Sequence, residues 1–322
     1  MFSGDQRLTT FTRCYFNLDE CTSLAYTFYN CDSLSWSAIK SNFMDKLNDT
    51  SEDFNISLLN TFYAKNSVEE SLPNGFFGKC KNVNNMDGIF SNPTYISLSG
   101  QSQKSINGIT KNHFKNSNNE IVVLNKVKSL SSSFISNFNL SLIDDDLITT
   151  VFPNIEYLNG TFASCAGLKI PNVSIFFKGL TSLKYALGTF YNCGTNNLAQ
   201  EVSYTFTSQN DGFKTCTNLI KISDVFRMCP KLNLTISTTI IPNSVIASEN
   251  MFLGIKSLTF DNNLNDDIFE ESNSKKNVYV GGMFGNCGLT NIYSNLFNNI
   301  NPISNVRGEF DVLEYYDNSN RK

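Results

Sequence analysis

The residues of this 322-residue chain best suited to chemistry are its nine cysteines, its one histidine and a few acidic clusters. Cysteine can act as nucleophile, metal ligand or disulfide partner, and spacing decides among these. Cys31, Cys165, Cys193, Cys229 and Cys287 each stand three residues after a phenylalanine, and Cys21, Cys80 and Cys216 share the equivalent place in a second half-unit. Recurrence in register predicts a ladder of reduced, buried thiols, because a buried Cys behaves as a small hydrophobe with a weak donor. The odd count argues against a disulfide framework. With no C-x-x-C pair and one His, zinc has no ligand set. His113 is expected at an exposed loop tip, as a solvated side chain. Asp144-Asp145-Asp146 reads as a solvated turn. Asp261–Asp267 loosely resembles a calcium loop, but Asp266 stands where Gly is needed and Ser272 where Glu is needed. The G-x-S-x-G, H-E-x-x-H and G-x-x-x-x-G-K-[ST] patterns are absent. Paired carboxylates remain open, since any two can meet in space. The expectation is a protein that is not an enzyme, with no catalytic, cofactor-binding or metal residues, no cofactor, and a binding surface left unassigned.

The elements that place these residues follow from a repeated frame, F-x-x-C-x-x-L. It holds Phe28, Cys31 and Leu34, then Phe162, Cys165 and Leu168, then Phe213, Cys216 and Leu219, then Phe226, Cys229 and Leu232. Looser copies begin at Phe2, Phe77, Phe134, Phe177 and Phe252. From Phe62 to Phe77 is 15 residues and on to Phe90 is 13, and the same steps join Phe162, Phe177 and Phe190, and Phe269, Phe284 and Phe297. The sum, 28, is also the step from Phe134 to Phe162. A period in this range marks a solenoid, whose units bury their apolar sides only by stacking. The 27 phenylalanines are then expected as a file of stacked rings, with no ligand required.

The two sides of the coil differ. Alternation at Leu168/Ile170, Leu34/Trp36, Leu232/Leu234/Ile236 and Leu258/Phe260 predicts short strands, with the only Trp facing the core. Before the phenylalanines, Leu24, Thr27, Phe28 and Cys31, like Leu158, Thr161, Phe162 and Cys165, fall at i, i+3, i+4, i+7. That predicts helical or 3₁₀ turns. Gly88, Gly160, Gly188 and Gly282 stand two before a Phe and predict tight bends or close backbone approaches. The fold class is therefore a solenoid repeat with strands on one side, helical or 3₁₀ turns on the other, a coil of about 28 residues, and an inserted hairpin or loop.

These units resemble the BspA-like leucine-rich repeat proteins, whose repeats run M/T-F-x-x-C-x-x-L. Cys21-Thr22-Ser23-Leu24, Gly179–Leu183 and Cys216-Thr217-Asn218-Leu219 look like that family's linker, and Met251-Phe252 and Met283–Cys287 look like its core. The resemblance covers most of residues 1–98 and 130–300. It departs at 43–62 and 99–130, and Lys65 or Pro93 replaces Cys. It implies a leucine-rich-repeat solenoid with a role in surface interaction, as on bacterial surfaces or phage virions.

The expected organisation is coils over 1–98, an inserted hairpin or loop over 99–130 with its tip near Lys111–Asn119, coils over 131–307, and a capping or docking segment over 308–322. Residues 43–60 are expected as a surface loop or short helix. The net charge of −4 gives no electrostatic case for nucleic acid, and no apolar run is long enough for a membrane span. No signal peptide is expected before the repeat that begins at Met1-Phe2. That suits a fragment of a longer secreted chain, capping by a partner subunit, or mounting on a particle such as a virion. Six N-x-S/T sequons, at Asn48, Asn55, Asn139, Asn159, Asn172 and Asn233, are attributed to a composition rich in Asn and Ser. The expected function is non-catalytic recognition of a protein or glycan on a cell surface. The alternative is a structural virion or appendage subunit contacting its neighbours.

Overall fold

The computed structural model describes residues 2–9, 18–31, 33–48, 55–63, 71–92, 106–197, 199–208, 212–261, 267–289 and 295–303. Cys14, Lys65, Pro93, residues 99–105, 262–266 and the 308–322 segment lie outside them.

Hydrogen-bond accounting around each motif phenylalanine explains the winding. Around Phe162, the amides of Leu158, Gly160, Phe162 and Ser164 donate to the carbonyls of Tyr185, Leu187, Thr189 and Tyr191 in the next coil. The intervening amides of Thr161, Ala163 and Cys165 close turns onto Leu158, Gly160 and Phe162. So every second N–H reaches the next coil, and the others bend the chain. This is neither helix nor strand, and it replaces the expected helical turns. It requires positive φ two residues before and after the Phe. Gly160 and Ser164 have φ of 57° and 59°, and Gly188 and Asn192 have 57° and 58°. Glycine takes this region freely, whereas Asp224 and Asn250, at 59° and 51°, accept it as Asx residues do. At Gly88 the need is doubled, because a Cβ there would collide with the side chain of Asn60.

The same wall explains Thr and Cys in the motif. Thr61, Ser133, Thr161 and Thr189 donate their hydroxyls to Leu24, Met86, Leu130 and Leu158 of the preceding coil, at 2.8–3.0 Å. Cys31, Cys165, Cys193 and Cys229 donate their thiols to Phe2, Phe134, Phe162 and Phe190 at 2.9–3.1 Å. Asn137 takes the cysteine's place and donates to Phe90 at 2.8 Å. Cys31, Cys80, Cys165, Cys193, Cys216, Cys229 and Cys287 are buried thiols, as the spacing predicts, whereas Cys21 is only half-buried.

Inside the wall runs the file of rings. Phe2, Phe28, Phe62, Phe90, Phe134, Phe162, Phe190, Phe226, Phe252 and Phe284 stack in order, with centroids 5.2–6.2 Å apart and planes within 25°. The 13- and 15-residue steps resolve into this file and its facing rings. Phe77 meets Phe90 edge-on at 6.1 Å and stacks on Phe114 at 4.8 Å. Phe177 meets Phe190 edge-on at 6.3 Å and stacks on Phe213 at 4.4 Å. Successive file members are 28 residues apart from Phe62 to Phe90 and from Phe134 through Phe162 to Phe190, but 34 from Phe28 to Phe62, 44 from Phe90 to Phe134 and 36 from Phe190 to Phe226. Twenty-eight is thus one coil length among several. The wall register is constant, and the excursions between wall passes vary.

Those excursions carry the strands, all paired in parallel. They are β1 (Ile56–Ser57) with β2 (Val83–Asn85), β3 (Gly108–Ile109) with β4 (Leu142–Ile143), β5 (Val202–Phe206), β6 (Leu232–Ile236) and β7 (Ser257–Phe260) together, and β8 (Lys276–Tyr279) with β9 (Ile300–Ile303). β6 and β7 fall where the alternation places them. Leu168–Ile170 is buried at both apolar positions but forms no strand, since only Lys169 donates to the neighbouring coil and Pro171 has no N–H. Trp36 faces the core but opens a helix, α1 (Trp36–Asn42), because Trp36, Ile39 and Phe43 bury one helical face. Phe43, Met44 and Leu47 are buried and Met44–Lys46 is a 3₁₀ turn, so the start of the 43–60 stretch takes the short-helix alternative and is anchored in the core, while residues 49–54 lie outside the described residues. The other α-helices among the described residues are α2 (Leu147–Val151) and α3 (Val173–Phe176). Among the described residues no helix is long and apolar enough to cross a membrane.

Replacing Phe162, fully buried in the file, by Ala should destabilise the fold by about 3–5 kcal/mol in urea titration, and Phe190→Ala by a similar amount. A loss under about 1 kcal/mol for both would refute the ring file as the core. Thr161→Val should cost about 1 kcal/mol, because the Leu130 carbonyl loses its hydroxyl partner but keeps the Ser133 amide.

Candidate functional site

His113 corrects an expectation. It is buried within a 3₁₀ turn, Lys111–Phe114, and is not at an exposed tip. Its Nδ1 accepts from the Thr110 amide at 3.0 Å, and its own carbonyl accepts from the Phe77 amide at 2.7 Å. Phe114 follows it into the core, stacked on Phe77. The reason is local: Thr110 opens the turn, and the apolar Phe114 needs the core more than His113 needs water. Beyond it, Lys115 and Ile121 pair antiparallel, so a small hairpin projects from the coil.

That hairpin forms one side of a cleft of about 640 Å³ lined by Lys40, Asp45, Asn74, Gly75, Gly78, Lys79, Asn112, Lys115, Asn116, Ser117 and Asn119. Its two sides touch at the glycines. Gly75 donates to the Asn112 carbonyl at 2.9 Å, and a Cβ on Gly75 would lie 2.8 Å from the Lys115 carbonyl oxygen. A Cβ on Gly78 would run into the same oxygen. Lys40 pairs with both oxygens of Asp45 at 2.9 Å. Asn116 is spent on the hairpin, accepting from the amides of Asn118 and Glu120.

A second feature is a strip of parallel bridges along the solenoid: Ser129, Tyr157, Tyr185, Lys221, Ala247 and Tyr279. Tyr157 and Tyr185 stack at 5.5 Å with planes 9° apart, and Tyr279 is 37% exposed. Beside them Glu156 lies between Lys184 at 2.7 Å and Lys128 at 3.7 Å. The Lys184 ammonium, and then Lys128, hold the Glu156 carboxyl below its usual range. Ile246, 40% exposed, continues the row next to Ala247.

The acidic clusters have structural work. Asp144 accepts the Lys111 amide at 2.7 Å, Asp146 pairs with the Lys111 ammonium, and Asp145 accepts the Asn172 amide at 2.7 Å. Each of the three carboxylates thus accepts at least one bond from the fold, while the turn itself stays half-exposed to exposed, as expected. Of Asp261–Asp267, residues 262–266 lie outside the described residues, and Asp267 is buried, accepting the Phe269 amide. Among the described residues no group of three or more His, Cys, Asp or Glu is placed to hold a metal ion. The sequence did not single out Asp224 and Glu249, two buried carboxyls on adjacent coils joined by the Asp224 amide and the Glu249 carbonyl. Burial raises both, and Asp224 further raises Glu249, while Arg227 at 3.2 Å opposes the rise at Asp224. Their only sequence signal was position on the wall, either side of one coil step. Burial also pushes the Cys229 thiol up to about 12, which leaves it a poor nucleophile. Three of the sequon asparagines serve the fold: Asn159 accepts the Leu187 amide, Asn172 caps α3, and Asn233 bonds Glu201.

No protein-family model, curated protein or solved structure matches this chain.

His113 is the only histidine, so one imidazole signal reports it. Burial holds its pKa below the usual value, against the opposing pull of Asp144 and of the Leu72 carbonyl. An NMR titration should therefore give a midpoint below about 6.5. A folded-state value below the unfolded one contributes stability above about pH 6.5 that is lost as pH falls through that value. The stability advantage over His113→Asn should accordingly shrink between about pH 7.5 and 5.5.

Proposed function

We propose that this is a non-catalytic, surface-displayed recognition protein, a leucine-rich-repeat-like solenoid that binds a protein or glycan on a cell surface, as in adhesion or receptor binding. The observation that carries this reading is the ladder of Tyr157, Tyr185, Lys221 and Tyr279, half-buried to exposed aromatic and charged side chains at one register position, interrupted by the buried Ala247. Aromatic side chains in such a row supply large contact area at low entropy cost, with polar neighbours to fix orientation. The repeat's resemblance to BspA-like proteins supports the same reading, and a virion is a fitting place of display. Side chains pointing inward are consumed by the coil-to-coil bonds described above, so contact falls to the outward ones.

A second reading is a structural subunit of a virion or appendage that contacts its neighbours, which the repeat's resemblance to BspA-like proteins also allows.

The test is binding of the full chain to candidate host cells or surface extracts, compared with Tyr157→Ala/Tyr185→Ala. A recognition strip predicts a loss of at least about tenfold in affinity with unchanged circular dichroism. Unchanged binding would remove the strip from the function. A concentration-independent oligomer in light scattering, with no cell binding by either form, would select the structural reading.

A further inference from the structure

Two buried carboxyls on neighbouring coils support an inference about how the solenoid holds together. Asp224 and Glu249 are 6% and 8% exposed. The Asp224 amide donates to the Glu249 carbonyl at 2.8 Å, so both side chains flank one coil-to-coil bond. Burying an ion away from water is costly unless a counterion or several donors accompany it. Asp224 has a counterion, the Arg227 guanidinium at 3.2 Å, and a donor in the Asn250 side chain. Glu249 has neither. Its carboxyl takes no hydrogen bond and no ion pair among the described residues, and Lys221 attracts it only at a distance. The preceding coil presents Leu187, Gly188 and Tyr191, whose ring centre lies 5.5 Å from the Arg227 guanidinium. The following coil presents Tyr279, Gly281 and Gly282, so neither neighbour adds a charge. One guanidinium in contact thus stands against two carboxyls, and a proton on the pair is the remaining way to balance them. Burial raises the proton affinity of both, and Asp224 raises that of Glu249 further.

In a solenoid each coil contacts only its neighbours, so the bond between two coils is a separate part of the stability. We propose that the step between the coils of Phe226 and Phe252 is a proton-dependent joint, which protonated Asp224 and Glu249 hold closed and which loosens as both ionise. The sign follows from linkage. A carboxyl that binds its proton more tightly in the folded chain gives stability that is fully present below its ordinary value, 3.8 for Asp and 4.5 for Glu, and is lost as pH rises through the higher folded value. The joint is therefore tightest in acid. Asp146, Glu156 and Glu201 have the opposite dependence, because lysines hold them below their usual range. The Lys221–Ala247 bridge crosses the same step, so loosening it interrupts the strip between Tyr185 and Tyr279.

Hydrogen exchange of the full chain, corrected for intrinsic rates, tests the joint. The amides of Asp224, Phe226 and Met228 span it, donating to Glu249, Met251 and Leu253. Those of Gly160, Phe162 and Ser164, which donate to Leu187, Thr189 and Tyr191, serve as the reference. The ratio of the two sets cancels changes in global stability and reports local opening. From pH 4 to pH 7.5 the protection of the joint amides relative to the reference should fall by about threefold or more. Glu249→Gln should remove that fall, and should raise the melting temperature more at pH 7.5 than at pH 4. An unchanged ratio, or a fall that persists in Glu249→Gln, overturns the joint. So does a variant that melts lower or fails to fold at pH 7.5, because the ionised carboxyl would then be holding the step together.

Discussion

The structure depends on one constraint: buried backbone groups must be paired, although the wall is neither helix nor strand. The chain meets it by splitting its amides. One set bonds forward to the next coil and the alternate set closes local turns. Two carbonyls per passage take a further donor from the side chains of the following coil, Thr or Ser before the Phe and Cys or Asn three after it. Threonine, phenylalanine and cysteine in the motif are thus three parts of one arrangement, hydroxyl, ring and thiol stacking together coil on coil. Because all forward bonds run the same way, the wall has a direction, with donors facing the higher-numbered end.

A wall fixed this tightly leaves freedom only between its passages. The 36-residue step from Phe190 to Phe226 accommodates β5, and the 44-residue step from Phe90 to Phe134 accommodates the turn at Lys111–Phe114 and the hairpin after it. Loop entropy rises slowly with length, so such excursions are tolerated provided they return in register. The cleft is a product of this freedom. The long excursion presses against the Asn74–Lys79 turn of the previous coil, and only glycine permits the approach. The strip is the opposite case, a product of strict register, since equal positions on successive coils set Tyr157 over Tyr185.

The sequence by itself determined the solenoid, the ring file and the thiol ladder, because each rests on equal spacing, and spacing survives in one dimension. It also marked β6 and β7 by their alternation, and Gly88, Gly160, Gly188 and Gly282 as bends. Only the tertiary structure decided the conformation of the wall, since its amides alternate between local and distant partners, and a one-coil window reads as a simple helical turn. It also decided Trp36, whose two-residue alternation with Leu34 lost to the helical face it shares with Ile39 and Phe43. It decided the partners of His113 and Asp144–Asp146 as well. Each looks solvated in sequence, and each is held by a donor or acceptor more than thirty residues away, at Phe77, Lys111 or Leu72, or close to that, as between Asp145 and Asn172. The cleft was beyond sequence for the same reason: Lys40, Lys79 and Lys115 come from three separate excursions, and only stacking of the coils brings their charges together.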